Sequence, residues 1–419
     1  MTSALDQISY TDLYRRWEQG NWKAWEIDFA EDKRQWHEVL TETQRRAAVW
    51  NYALFFHGEQ SVTENLSPYI DAARTEEQKH FLCTQQVDEA RHAVFFGRFM
   101  REVIEAGETI AEQLAATEPQ LTWGFRNVFA RLDTMADELR RDRSRPKFAQ
   151  AITLYHLIVE ATLAQPGQHF IESYLTEHDI LPGFRSGMQN VSLDEQRHIG
   201  FGVKILSELV AEDPDCKPAV EELLREIMPT SLGVLKPPNW DSSYVECFGF
   251  TLEDIYAEGF QSFETKMRTA GLPIDEMPGV LPIPYELTPH ERAARVIKLM
   301  KAGYLGEKDG PPSHDPETIA LFFDVVGRAV DTRQSPAAPM TIQWDFSDTE
   351  PWHLRIDNGA TETARGRVSD PDVRLECRFE DWVDVVALRE DPRLSVLKRK
   401  IKPHGRVRAM LRLRSLFGR

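Results

Sequence analysis

The feature that most constrains this chain is a five-residue word that occurs twice. Residues 88–92 read Asp-Glu-Ala-Arg-His and residues 194–198 read Asp-Glu-Gln-Arg-His, matching at four of five positions. On a helix, positions i and i+3 share a face, so Glu89 with His92, and Glu195 with His198, can each grip one ion. A carboxylate oxygen beside an imidazole nitrogen suits iron or manganese. The bare pattern ExxH is common background, since Glu77/His80 and Glu350/His353 also satisfy it. Pro351 spoils the helical geometry of the latter, and Glu77/His80 has no matching copy. The duplication carries the signal.

A helical bundle that holds two metal ions needs two further carboxylates from two further helices. Glu59, in FFHGEQSVTENL, precedes Glu89 by 30 residues, and Glu160, in LYHLIVEATLAQPG, precedes Glu195 by 35. Either gap accommodates a helix, a turn and a return to the same height, at about 1.5 Å per residue. Both acids sit inside apolar runs, where an unpaired charge is costly. A ligand role removes that cost. Asp88 and Asp194 are placed to accept the distal N–H of a ligand histidine. Arg91 and Arg197 can balance carboxylate charge or hold the helices together.

A length of 419 residues accommodates two domains. Residues 1–304 read as helical: apolar positions recur at three and four, β-branched runs are scarce, and helix formers dominate segments such as 70–106, 127–177 and 189–211. Residues 305–315 are polar and rich in Gly and Pro, as in a linker. Residues 316–419 then read as an α+β domain. It starts with a helix from Glu317 to Val330, followed by short alternating segments from Thr341, Trp352, Ala360 and Val373. Turns at Asn358-Gly359 and Asp370-Pro371 predict a meandering antiparallel sheet, closed by helices over 380–389 and 406–417.

Four cysteines without CxxC or CxxH spacing argue against a zinc finger and read as reduced thiols of a cytoplasmic protein. No stretch approaches the roughly 20 apolar residues of a membrane span, and the start lacks a signal-peptide pattern. A net charge of −17 argues against a general nucleic-acid binder. Residues 398–419 carry nine Lys or Arg and no acid, which leaves −26 on the rest. Such a tail can touch an anionic lipid headgroup or pair with the acidic remainder.

The order Glu…DExRH…Glu…DExRH resembles the ferritin-like superfamily, and within it the small subunit of ribonucleotide reductase. GEQSVT at 58–63, Tyr155-His-Leu-Ile-Val-Glu160, and HDILPGFRSGMQ before DEQRH are similar to the ribonucleotide-reductase-small-subunit-like ligand-binding oxidases, over roughly residues 10–280. The resemblance implies an all-α ferritin-like four-helix bundle with extra helices. It also implies a manganese–iron or di-iron centre that activates dioxygen beside a long-chain fatty acid. By position, Glu59, Glu89 and His92 would bind the first metal, and Glu160, Glu195 and His198 the second, with Glu89 and Glu195 bridging. The family joins a valine β-carbon to a tyrosine oxygen, and the matching positions here hold Val62 and Tyr155. Two departures separate the chain from neighbouring branches. Phe96 stands where a reductase subunit keeps its radical tyrosine, and Val191 where the N-oxygenases carry an extra histidine. The C-terminal layout, with DPDVRLECRFEDWVDVV, resembles the sterol-carrier-protein domain, a small lipid-binding fold in which Phe322, Val325, Val385 and Leu413 would line a cavity or form the core.

The expected protein is thus an oxygen-dependent dinuclear metal oxidase acting on a bound apolar or fatty-acid-like molecule. Its electron donor is not identified by the sequence, and a homodimer through the bundle face is common in the superfamily it resembles. The rival readings are a di-iron N-oxygenase or desaturase, and a lipid-binding protein whose metal site turns over only once.

Overall fold

Side-chain caps set where the helices of the N-terminal unit begin. In a computed structural model, which describes residues Ile8–Phe417, α1 spans Tyr10–Gln19 and α2 Glu42–Asn65. Helix α3 covers Glu76–Phe99. Thr41 and Gln44 form a capping box on α2, and Thr75 and Gln78 form one on α3, each satisfying backbone N–H groups that a helix start leaves free. Ser144 caps α4 (Arg145–Ile152). The chain then runs through wide π-type turns, Thr153–Ala164, into α5 (Gln165–Glu177). Helix α6 (Pro182–Glu212) starts on a proline, and its Gly183 and Phe184 N–H groups donate to the buried Asp32 carboxylate at 2.9 and 2.7 Å. Helix α7 (Leu252–Thr269) packs on the π segment.

Two antiparallel pairs make the bundle. Helix α2 lies along α3, and α6 lies along the π segment, while α3 and α6 also touch. Phe95, Phe96, Phe99 and Phe184 are fully buried in an aromatic cluster at one end. No helix of the described residues is long and apolar enough to cross a membrane.

A second compact unit is formed by the described residues from Pro273 onward together with Leu224–Leu232. Its helix α8 spans Pro316–Arg328. Strands β1 (Met340–Phe346), β2 (Trp352–Asp357), β3 (Ala360–Arg365) and β4 (Val373–Cys377) follow. Helices α9 (Phe379–Val386) and α10 (Pro392–Leu397), strand β5 (Ile401–Gly405) and α11 (Val407–Leu416) complete it.

The sheet order is β3-β2-β1-β4-β5, and it corrects the expected meander in one respect. Strands β1 to β3 do meander, but β4 returns to the free edge of β1 and pairs with it in parallel. The physical reason lies in the side chains. Strand β3 is polar and partly exposed, whereas β4 carries Val373, Leu375 and Cys377, which are buried only beside the apolar face of β1. Phe322, Val325 and Val385 belong to this packed core, and Leu413 lies against it.

Candidate metal centre

The two repeated words stand on α3 and α6, and both face the bundle interior. Glu59 comes from α2 and Glu160 from the π segment, so four elements each present one glutamate. All six predicted ligands are buried: His92 and His198 are completely so, and no glutamate is more than 6% exposed. Ligand atoms of Glu59, Glu89, His92 and Glu195 lie within 4.8 Å of one another, as do those of Glu89, Glu160 and His198. Glu89 is common to both groups. Glu195 falls with the first group, although its second oxygen lies 3.7 Å from His198 Nδ1.

The imidazoles are aimed by a crossed set of contacts. His92 Nε2 lies 3.1 Å from Asp194, on the opposite helix, and His198 Nε2 lies 3.1 Å from Asp88. With each Nε2 proton directed at an aspartate, the Nδ1 lone pairs turn toward the glutamates. Arg91 and Arg197 each bridge both aspartates. Trp17 Nε1 donates to Asp88 and Trp22 Nε1 to Asp194, both at 2.8 Å.

Charge separates the cluster into two parts. Two arginines offset two aspartates in the outer part. Four glutamates remain in the inner part with no cationic side chain of their own, a formal −4 that two divalent ions would cancel. The inner atoms also lack partners: Glu160 Oε2, Glu195 Oε2 and His198 Nδ1 are buried without a hydrogen bond. Both observations fit a pair of cations with mixed oxygen and nitrogen ligands.

The titration behaviour agrees. Burial drives the Glu59 and Glu160 carboxyls well above the usual range. Burial also works on Glu89, but the His198 and His92 imidazoles outweigh it and hold its carboxyl well below that range. Burial disfavours charged imidazoles, yet Glu59 raises His92 and Glu89 raises His198 well above the ordinary histidine value.

An apolar cavity opens beside the cluster. Glu59, Glu89, Glu160 and Glu195 form one wall, and Leu54, Phe55, Phe125, Phe129, Val159 and Leu163 contribute to the others. Its free space is about 70 Å³. Val62 and Tyr155 both line it. Tyr155 Oη donates to Glu89 at 2.7 Å, and burial with the Glu160 and Glu89 charges keeps this phenol protonated. Phe96 is fully buried and stacks on Phe55 at 5.9 Å; Val191 is equally buried.

Three contributors were not anticipated. Gln85 donates to Glu160 at 2.8 Å and to Tyr155 Oη at 3.1 Å, while its carbonyl lies 3.1 Å from His156 Nε2. Its signal was available, since it stands four residues before Glu89 on the same helix face. Trp17 and Trp22 gave no periodic signal, because they flank the end of α1 and reach the site only through the fold.

A buried four-glutamate, two-histidine cluster inside paired antiparallel helices defines the class of helical-bundle proteins built around two metal ions. The chain belongs to the ribonucleotide reductase small-chain family, whose model matches residues 5–232. Residues 312–419 match the alkyl sulfatase C-terminal family. Among solved structures, the chain is similar to a glycine-to-phenylalanine mutant of R2-like ligand-binding oxidase with an anaerobically reconstituted Mn/Fe cofactor. The identity is 23%, over 63% of this chain and 94% of that one, with a TM-score of 0.53. It is also similar to the R2-like ligand-binding oxidase from Sulfolobus acidocaldarius, at 21% identity over 68% of this chain and 94% of that one, with a TM-score of 0.54. A tyrosine-to-phenylalanine mutant with Mn/Fe gives 22% identity over 63% of this chain and 93% of that one, with a TM-score of 0.54. These likenesses establish a shared fold.

Proposed function

We propose that this chain is an oxygen-dependent oxidase whose dinuclear centre, Mn/Fe or Fe/Fe, oxidises a bound apolar, lipid-like molecule. One juxtaposition carries the reading: the carboxylate–histidine cluster forms a wall of an apolar cavity. The Mn/Fe cofactors of similarly folded oxidases support the choice of metals.

Glu59, Glu89 and His92 would hold one ion, and Glu160, Glu195 and His198 the other, with Glu89 and Glu195 within reach of both groups. When bound, such a pair of ions supplies the electrons that reduce dioxygen and the oxidising power to take hydrogen from a C–H bond. The chain's own residues do the rest. Asp88 and Asp194 fix the tautomers of the two histidines, and Arg91 and Arg197 each pair with both aspartates and hold them in place. The aromatic and aliphatic walls keep water away from the reacting carbon. The rings of Phe125 and Phe129, which stack at 4.1 Å, form part of the apolar lining that would meet such a substrate.

Val62 and Tyr155 are the internal targets. An ether bond between Val62 Cβ and Tyr155 Oη replaces one C–H and one O–H bond, and the two protons and two electrons released pass to dioxygen. Glu89, which already accepts the phenolic hydrogen, is placed to receive that proton. Residues 316–419 act in this reading as a sterol-carrier-like lipid-binding domain, supported by a helix-covered sheet with one apolar face. All four cysteines are free, which suits a reducing cytoplasm.

The test is anaerobic loading with manganese and iron, exposure to air, and peptide mass spectrometry, with Tyr155→Phe as control. A joined Val62–Tyr155 peptide pair, lighter by two hydrogens and absent from the variant, is the expected result. Separate intact peptides with metals bound would remove the cross-link and leave an oxidase acting only on external substrate. Failure to bind two ions would overturn the whole reading.

A further inference from the structure

The end of the second unit has a surface unlike the rest of the chain. Eleven large hydrophobic side chains of the described residues are exposed, and six of them fall within residues 388–411: Leu388, Leu394, Val396, Leu397, Val407 and Leu411. Leu397 is 79% exposed and Leu411 73%. Both α10 and α11 pack beside β5, so these side chains come from neighbouring elements. Two turns in this region have central residues with left-handed backbone, Leu388 at φ 59° and Arg399 at φ 58°, a conformation that costs energy for any residue with a β-carbon.

Helix α11 divides cleanly by face. Met410, Leu413, Leu416 and Phe417 point toward the core. The opposite face presents Val407 and Leu411, flanked at helical spacing by Arg408 and Arg412 on one side and Arg414 on the other. Lys398 and Lys400 are ion-paired with Glu390. Among the described residues, Arg399, Lys402, Arg408, Arg412 and Arg414 have no carboxylate partner. Arg399 and Lys402 line an open cleft of about 920 Å³ on the polar side of β4 and β5.

Exposed leucines and valines set among unneutralised cations are what a helix lying in a membrane interface presents. An anionic bilayer offers a continuous plane of phosphates to the arginines and an acyl layer to the leucines, without requiring a fixed partner shape. The contrast in charge points the same way. The tail from Lys398 to Arg419 carries nine basic residues and no acids, within a chain of net charge −17. We propose that the exposed side chains of residues 388–417 form a docking surface for anionic lipid bilayers, with Leu397 and Leu411 inserted at the headgroup boundary and Arg408, Arg412 and Arg414 on the phosphates. This surface is separate from the metal centre and does not depend on its chemistry.

The experiment is co-sedimentation of the full-length, metal-loaded protein with large vesicles of phosphatidylcholine alone or mixed with phosphatidylglycerol, at low and raised salt. The expected result is binding to the mixed vesicles that weakens with salt, and little binding to phosphatidylcholine. The double variant Leu397→Asp/Leu411→Asp should lose at least tenfold in partitioning with an unchanged circular dichroism spectrum, since both side chains are exposed. Arg408→Gln/Arg412→Gln should lose about fivefold for each arginine. Absence of binding to anionic vesicles at low salt would overturn the proposal, as would equal binding by both variants. So would a concentration-dependent dimer that the leucine variant abolishes, because the surface would then belong to a second copy of this chain.

Discussion

Each inner-cluster residue should answer differently to removal. Replacing Glu160 with Ala takes a carboxylate from one ion only, so metal content should fall from two ions per chain toward one, measured by elemental analysis after loading. Asp194→Ala leaves every ligand in place but removes the acceptor that directs His92 Nε2. Metal affinity should then fall by about 10–100-fold, read by competition with a chromogenic chelator. The shifted carboxyls and imidazoles give a pH dependence with a definite sign. Glu59, Glu160, His92 and His198 are all raised, so in the metal-free protein each keeps its proton to a higher pH than the free side chain does. Loading must expel those protons, so apparent affinity should rise with pH. Calorimetry in two buffers of different ionisation enthalpy would count the protons released, and a count of zero would contradict the assignment. Much of this site was legible in the sequence, because i to i+3 spacing places Glu89 with His92 and Glu195 with His198. The crossed partnership was not. That Asp194 serves His92 and Asp88 serves His198 depends on how two helices face each other, which no local spacing contains.

At the level of elements, α6 reaches the π segment through glycine. A β-carbon on Gly202 would come within 2.2 Å of His156 Cβ, where no side-chain rotation can relieve the clash. Gly202→Ala should therefore cost roughly 1–3 kcal/mol or more, seen as a lowered melting temperature, and should loosen metal binding as the segment bearing Glu160 is pushed away. The wide turns of that segment were hidden because Thr153–Ala164 is buried through Thr162 on every face. An all-round apolar run gives no phase from which to read 3.6 or more residues per turn. Wide turns of this kind often occur at functional sites, and here they carry Tyr155, His156 and Glu160. The same limit applies to the sheet. Alternation in VRLEC identified β4 as a strand, but its parallel partner is decided by which edge buries Val373 and Leu375. Strand β5 was missed because its burial is confined mainly to Ile401 among Lys402, Pro403 and His404.

For the molecule as a whole, the two units keep separate hydrophobic cores. Ligands come only from the first, so metal should raise its unfolding temperature by mass action and leave the transition of the second unchanged. Differential scanning calorimetry with and without chelator would test this, and a shift common to both transitions would contradict it. Metal is not the only restraint on that first unit. Each histidine is anchored from the opposite helix, and each arginine spans both aspartates. This is the geometry of crossed braces in a frame: sliding or twisting α3 against α6 strains both diagonals together. A bundle braced in this way holds its ligands close to their working positions, and incoming ions meet a socket whose shape is set by the fold.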